Sequence, residues 1–394
     1  MDNGKIVLFL GAGFSCDAGF PTMASFGSES KREYLGISHP GNKRKPSQKI
    51  LLEAGDVFKK FQKYAMSISD LMSIDCDNME DIFCLADIIE GTCMKSKLTI
   101  PEVDNLSITE IIEKIRLWLW KVFQQCPPIN DQKPLAQKNV NAYENFFRFI
   151  IERHKECRDI SIITTNYDLM PEFFLNNLNE ACTYAIRKEY SNEWMTHSES
   201  VNRFAYINDN ALIPIYKLHG SVNYFFNSTN NKNIVNIVVD KLNCDIDGVG
   251  RSHASVFRNN LSILPLDAIN ELRRLNIDKI PIPAIIPPMY SKIESMPWLK
   301  NIWENALRAI SEARVIAFIG YSFPQSDGFM QSFFQAAMMK RKKQKTPEII
   351  NLDINDGTKF RYGSIFKNLK SNNFLTGSFV NKYTDLIERI KRNS

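Results

Sequence analysis

The chain has 394 residues, 44% of them hydrophobic, enough for one large domain or two of ordinary size around a solid core. Its net charge of +5 at pH 7, from 49 Lys and Arg against 44 Asp and Glu, excludes a protein whose main business is coating nucleic acid. The eight cysteines (Cys16, Cys76, Cys84, Cys93, Cys126, Cys157, Cys182 and Cys244) show no paired spacing. A four-cysteine zinc site or a redox pair therefore has no support, and scattered thiols fit a reducing cytosol.

Taken in chain order, the run Ile6-Val7-Leu8-Phe9-Leu10 predicts a buried strand over 5–10. It is too short for a signal-peptide core, and no apolar run approaches the roughly 20 residues that a bilayer requires, so a cytoplasmic protein without membrane contact is expected. Residues 25–50 are polar and carry Lys43-Arg44-Lys45, which predicts an exposed loop. From 50 to 155 apolar residues recur at three- and four-residue steps, as in Val57-Phe58, Phe61 and Tyr64-Ala65, and predict a helical module. Further strands are predicted over 159–165, 213–218, 282–286, 315–319 and 349–353, mostly continuous apolar runs of the kind that parallel strands covered on both faces require. Segments 185–210 and 227–260 are rich in Asn, Ser and Asp and read as surface excursions or hairpins. The expected architecture is an α/β parallel sheet flanked by helices, formed by 1–25 and 156–394, with a mainly helical insertion over 26–155 after the first strand.

Three strands end in segments that carry chemistry: Gly11-Ala12-Gly13-Phe14-Ser15, Thr164-Thr165-Asn166-Tyr167-Asp168 and Lys217-Leu218-His219-Gly220-Ser221. In an open parallel sheet ligands collect at these carboxyl ends. A glycine turn opening a helix can present backbone N–H groups to an anion, although a lone Gly-x-Gly is also an ordinary strand-to-helix turn. Cys16 stands where a dehydrogenase fingerprint needs glycine, and no Gly-Lys-Ser/Thr of a Walker loop is present. Asn166 can hold a ribose hydroxyl or a water, and Asp168 can equally cap a helix starting near Leu169. His219 is the one histidine of five that ends a predicted core strand; it suits proton transfer near neutral pH, or a structural bond to a carbonyl. Gly320-Tyr321-Ser322-Phe323-Pro324 and Asn351-Leu352-Asp353-Ile354-Asn355 close two later strands and can meet phosphate or ribose oxygens, or serve as turns, and Asp327 can cap a helix. The basic run Lys340-Arg341-Lys342-Lys343-Gln344-Lys345 reads as a solvated helix end or a partner contact rather than a nucleic-acid site.

Together these segments resemble the sirtuin superfamily. Its first loop, Gly-Ala-Gly-x-Ser-x-x-x-Gly-Ile-Pro, is matched at Gly11, Ala12, Gly13, Ser15, Gly19 and Pro21, and its Thr-Gln-Asn-Ile-Asp segment at residues 164–168. Its Leu-His-Gly segment is matched at 218–220 and its Gly-Thr-Ser turn at 320–322. The chain departs from deacylating sirtuins at Thr22-Met23-Ala24, in place of Asp-Phe-Arg, and in having no closely spaced cysteine pair after His219. In these respects it looks like the sirtuin-like domains of bacterial antiphage systems that degrade NAD, to which Gly320–Asp327 is also similar.

The resemblance implies a Rossmann-like NAD-binding core without a zinc ribbon and without a metal. It implies catalytic roles for Asn166 and His219, and NAD contacts at Gly11, Ala12, Gly13, Phe14, Ser15, Pro21, Thr22, Asp168, Gly320, Ser322, Asp353 and Asn355. It further implies an NAD+ glycohydrolase acting in abortive infection as a homo-oligomer, restrained by a separate protein such as a helicase-like ATPase or an Argonaute-type partner. An NAD-dependent protein deacylase and a non-catalytic NAD or ADP-ribose sensor are the alternatives.

Overall fold

The computed structural model describes residues 5–22, 26, 46–72, 75–76, 78–92, 99–124, 135–178, 180, 182–184, 186–187, 191–195, 212–228, 231–239, 282–286, 293, 296–324, 328–341, 345–355 and 357–394. Strand β1 (Lys5–Leu10) runs into the short helix α1 (Ala12–Cys16). Helices α2 (Pro46–Met72) and α3 (Met79–Thr92), a small hairpin of β2 (Thr99–Ile100) and β3 (Leu106–Ser107), and helices α4 (Ile108–Gln124) and α5 (Gln137–Cys157) follow. Next come β4 (Ile160–Thr164), α6 (Met170–Asn177), β5 (Cys182–Thr183), β6 (Ser191–Met195), β7 (Ile213–Lys217), β8 (Gly220–Ser228), β9 (Asn231–Val239) and β10 (Pro283–Ile285). The last third holds α7 (Pro297–Glu312), β11 (Ala313–Ile319), α8 (Gly328–Lys340), β12 (Glu348–Asp353), α9 (Thr358–Ile365), β13 (Phe374–Thr376) and α10 (Phe379–Asn393).

Seven strands form one sheet in the order β13-β12-β11-β1-β4-β7-β5, with every pairing parallel. With helices packed on it, this is a Rossmann-like α/β fold. Successive side chains of a strand point to opposite faces, and Ile6, Val7, Leu8 and Phe9 of the central β1 are all fully buried, so both faces are covered. Helix α7 packs on β1, β7 and β11, α5 on β4 and α6, and α10 on β11, β12, β13 and α5. Helix α5 thus ends the helical run of the sequence but lies in the layer that covers the sheet.

A second sheet, β10-β8-β9-β6, leaves the first at His219. Segment 282–286 belongs here, antiparallel to β8, rather than in the parallel sheet where its continuous apolar run had placed it. That run reflects burial between β8 and α4, since Pro283, Ala284 and Ile285 are all buried. Helix α4 ties the helical module to this sheet: Arg116 donates from Nε to the Ile285 carbonyl at 2.9 Å and lies 5.3 Å over the Phe226 ring. The expected exposed loop over 25–50 ends sooner than predicted, because α2 starts at Pro46; Lys43-Arg44-Lys45 lies outside the described residues. Within the basic run, Arg341 is no free surface charge. Its Nη1 donates to the Ser311 and Ala313 carbonyls at 3.1 and 2.5 Å, closing the end of α7. Residues 342–344 and Asp327 lie outside the described residues.

The turns after β1 and β11 meet glycine to glycine. Gly13 donates its N–H to the Gly320 carbonyl at 2.9 Å, and Gly320 has φ +64. A Cβ on Gly320 would lie 2.2 Å from the Phe14 nitrogen, and one on Gly11 would lie 2.5 Å from the Gly320 oxygen. No side chain fits there, and the left-handed backbone adds roughly 1–2 kcal/mol for any L-residue. Gly320→Ala should therefore destabilise the fold by more than about 2 kcal/mol in urea denaturation, because steric overlap adds to the backbone term. Gly363→Ala inside α9, where an added Cβ meets nothing within 4 Å, should be neutral or gain up to about 1 kcal/mol.

Candidate functional site

From β1 the sheet steps through β4 to β7 on one side and through β11 to β12 and β13 on the other, so the loops after β1 and β11 diverge. Ligands of open parallel sheets lie in such a crevice. Here it is a cleft of about 450 Å³. Adjacent strands lie about 4.8 Å apart, so the four steps from the end of β7 to the end of β12 cover about 19 Å, room for an extended dinucleotide.

Of the residues singled out from the sequence, Ala12, Gly13, Ser15, Pro21, Thr22, Asn166, Asp168, His219, Gly320, Ser322, Asp353 and Asn355 all line this cleft. Gly11 and Phe14 do not. The Phe14 ring is fully buried against Tyr143 and Phe379, at 5.2 and 4.8 Å between centroids, because the turn of α1 points it into the core. Sequence reasoning missed Asp17, Asn78, Phe123, Ser378 and Arg361, which also line the cleft. Phe123 sits in an apolar helical stripe indistinguishable from core, and Arg361 is one basic residue on a short helix.

The glycine loop is less open to anions than its sequence suggests. The N–H groups of Gly11, Gly13 and Phe14 donate to the carbonyls of Ile319, Gly320 and Gly11, and that of Gly320 donates to Leu352. Gly11 and Gly13 thus brace the first turn against the end of β11, Phe14 closes its own turn and Gly320 bonds β12, so none of these four donors is available to a phosphate.

Asn166 follows β4 and is held from both ends. Its N–H donates to Thr164 Oγ1 at 3.0 Å, and its Nδ2 donates to the Gly11 carbonyl at 2.9 Å and to Ser15 Oγ at 3.2 Å. Those bonds use both amide hydrogens, so the group the side chain can offer a ligand is its Oδ1 acceptor. Ser15 in turn donates to Asp168. Asp168 also accepts from the Met170 N–H at 2.9 Å through Oδ1, capping α6 as its position before the helix suggested. Burial raises its carboxyl above the ordinary range, opposed by Lys217 and these hydrogen bonds. Lys217, fully buried, donates to the Asp168 carbonyl and to Glu172 Oε1 at 3.1 Å. A chain of polar contacts therefore runs behind the cleft from Asn166 through Ser15 and Asp168 to Lys217 and Glu172.

His219 sits two residues beyond Lys217. Its carbonyl accepts from the Ile286 N–H at 2.9 Å, and Gly220, with φ +77, follows where a Cβ would lie 1.8 Å from the Ala284 oxygen. The imidazole lies edge-on to Tyr167 and Trp303, at 6.4 and 6.1 Å between centroids. It is 5% exposed, and burial pushes its pKa down to about 3. At neutral pH it is an uncharged acceptor. On the far side of the cleft Asp353 accepts from the Asn355 N–H at 2.8 Å; burial raises its carboxyl, and Asn355 and Arg361 oppose the rise. The site therefore combines two neutral acceptors, Asn166 Oδ1 and His219, with carboxylates and a narrow floor, which suits it to hold hydroxyl groups and take up a proton. No group of three or more His, Cys, Asp or Glu arranged for a metal is found among the described residues, and none of their helices is long and apolar enough to cross a membrane.

No protein-family model matches this chain, and no curated protein matches it. Among solved structures it is similar to Sir2 in complex with the inhibitor EX-527, 2′-O-acetyl-ADP-ribose and a deacetylated p53 peptide, at 11% identity over 98% of this chain and 94% of that one, with a TM-score of 0.36. A Sir2 structure with p53 peptide and NAD+ covers the same shares at 10% identity and a TM-score of 0.37. A further Sir2 structure concerned with mechanism and regulation gives 10% identity, 98% and 92% coverage and a TM-score of 0.38.

Below its unfolded pKa near 6.5, His219 takes a proton in the unfolded chain but not in the native one, so it withdraws stability as pH falls from about 6.5 toward about 3. By NMR its ring resonances should stay constant between pH 8 and 5; a midpoint near 6.5 would show a solvated imidazole. Lys217→Met should cost about 3–5 kcal/mol in urea denaturation by leaving Glu172 charged and alone, and Glu172→Leu added to it should recover most of that loss.

Proposed function

We propose that this chain is an NAD+ glycohydrolase that releases nicotinamide and ADP-ribose. What supports this most is the meeting of Asn166 and His219 over one cleft that continues across the switch point to Asp353. Nicotinamide is cationic before the bond breaks, so cleavage needs no protonating acid, unlike ordinary glycoside hydrolysis. The C1′–nitrogen bond breaks with its electron pair going to nicotinamide, and water bonds to the oxocarbenium carbon. Asn166 Oδ1 accepts a hydrogen bond from that water or from a ribose hydroxyl and orients it. His219, neutral because it is buried, takes the proton that the attacking water gives up. Its weak basicity is no obstacle, since a water oxygen bonded to a carbocation is far more acidic than free water. Gly320, Ser322, Asp353 and Asn355 line the half of the cleft that would receive the adenosine diphosphate portion.

On the same reading the chain depletes NAD during phage infection, acts in the cytoplasm as a homo-oligomer and is held quiet by a separate regulatory protein. Purified protein should release nicotinamide from NAD+ without any acylated peptide. His219→Gln and Asn166→Ala should each lower that rate by roughly 100- to 10,000-fold while ADP-ribose binding persists. Nicotinamide release that depends on an acyl-peptide would identify a deacylase instead, and full turnover by both variants would overturn the assignment of these residues.

A further inference from the structure

Charge in the cleft is one-sided. Asp17, Asp168 and Asp353 all line it, and all three bear on the Cys16 thiol, which burial and then these carboxylates push up to about 11. An anionic ligand entering such a cleft needs a cation or a set of free N–H donors. The N–H groups of Gly11, Gly13 and Phe14 in the glycine loop are already taken by the carbonyls of Ile319, Gly320 and Gly11.

Among the described residues that line the cleft, Arg361 is the one lysine or arginine. It projects from α9 beside Asp353, whose carboxyl its charge favours in the ionised form. Its Nε is buried and has no hydrogen-bond partner. A guanidinium carries five donors in a fork that matches phosphate oxygens, and leaving a buried donor unpaired is costly, so the side chain has unmet capacity where the cleft lacks positive charge.

We propose that Arg361 is the phosphate-binding residue of this cleft, holding either the diphosphate bridge of an adenine dinucleotide or a 2′-phosphate on its adenosine ribose. The proposal rests on the dinucleotide reading of the cleft and adds the anion contact that the glycine loop does not supply. Because Arg361 donates to no described residue, its replacement removes a ligand contact and little of the fold.

Calorimetric titration of the wild-type chain, Arg361→Gln and Arg361→Lys with ADP-ribose, 2′-phospho-ADP-ribose and adenosine tests it. Arg361→Gln should bind 2′-phospho-ADP-ribose, and ADP-ribose too if the contact is to the diphosphate, roughly 10- to 100-fold more weakly, with adenosine affinity unchanged and an unaltered melting temperature. Arg361→Lys should recover part of the loss, as a point charge without the fork. Equal weakening of both phosphorylated ligands assigns the diphosphate, and weakening of 2′-phospho-ADP-ribose alone assigns the ribose phosphate. Unchanged affinity for both, or a parallel loss for adenosine, overturns the proposal. Wild-type protein that binds none of the three overturns the dinucleotide reading, and this assignment with it.

Discussion

The contact between the turn after β1 and the turn after β11 governs the rest of the site. Gly11, Gly13 and Gly320 lie so close that a methyl group on any of them would overlap backbone atoms, and one hydrogen bond, from Gly13 to Gly320, stitches them together. This closeness lets the loops of two adjacent strands diverge without a gap. It also fixes the direction of α1, which sends Phe14 into the aromatic core and leaves Ser15 facing Asn166 and Asp168. The same turn contacts use the N–H groups of Gly11, Gly13 and Phe14. A turn that reads in sequence as a phosphate cradle is, in the fold, the keel of the cleft.

Behind that keel the polar chain from Asn166 to Glu172 links the ends of β4 and β7. Lys217 is its hinge: it bonds the backbone of Asp168 and the side chain of Glu172, and it lies two residues before His219. A buried charge of this kind tolerates few positions, because moving it leaves an unpaired ion in a low-dielectric interior. The strand ends that carry Asn166 and His219 are thereby locked to one another. His219 is also tied to the helical module, since the Ile286 N–H bonds its carbonyl and the neighbouring Ile285 carbonyl accepts from Arg116 of α4. A shift of α4 would reach the imidazole through two hydrogen bonds.

The sheet was legible wherever burial forced a continuous apolar run. β1, β4, β7, β11 and β12 read directly for that reason, with ends within about two residues, the usual blur of element boundaries. Segment 282–286 obeys the same rule for a different reason, being covered by α4 and β8, and periodicity does not tell a strand which sheet it joins. β5 and β13 are two and three residues long, too short to carry any pattern. The place of Asn166, Asp168 and His219 at the cleft was legible because each follows a parallel strand, whose carboxyl end opens on it. Phe14 was misplaced because the direction of a helical side chain depends on where a five-residue helix points, which only the glycine contact decides. Arg361 has no local signal in the sequence: it is one basic residue on a short helix, and only the fold brings it to the cleft beside Asp353.

The distribution of charge along the cleft bears on how a dinucleotide would lie in it. NAD+ carries positive charge on its nicotinamide ring and negative charge on its diphosphate. Asp168 stands on the side of the cleft that leads to Asn166 and His219, while Arg361 stands beyond Gly320, next to Asp353. That gradient favours nicotinamide toward His219 and phosphate toward Arg361, the orientation that puts the scissile bond beside Asn166. In the proposed cleavage, positive charge would move from the ring to the ribose, still within the influence of Asp168. A protonated imidazole at that point would oppose the developing cation. Burial of His219 between Tyr167 and Trp303 removes that opposition by keeping the ring neutral, and the loss of basicity matters little because the proton arrives only after the cation has formed. If the chain cleaves NAD+ as proposed, the site would accelerate cleavage mainly by what it leaves uncharged beside the ribose, and only secondarily by proton transfer.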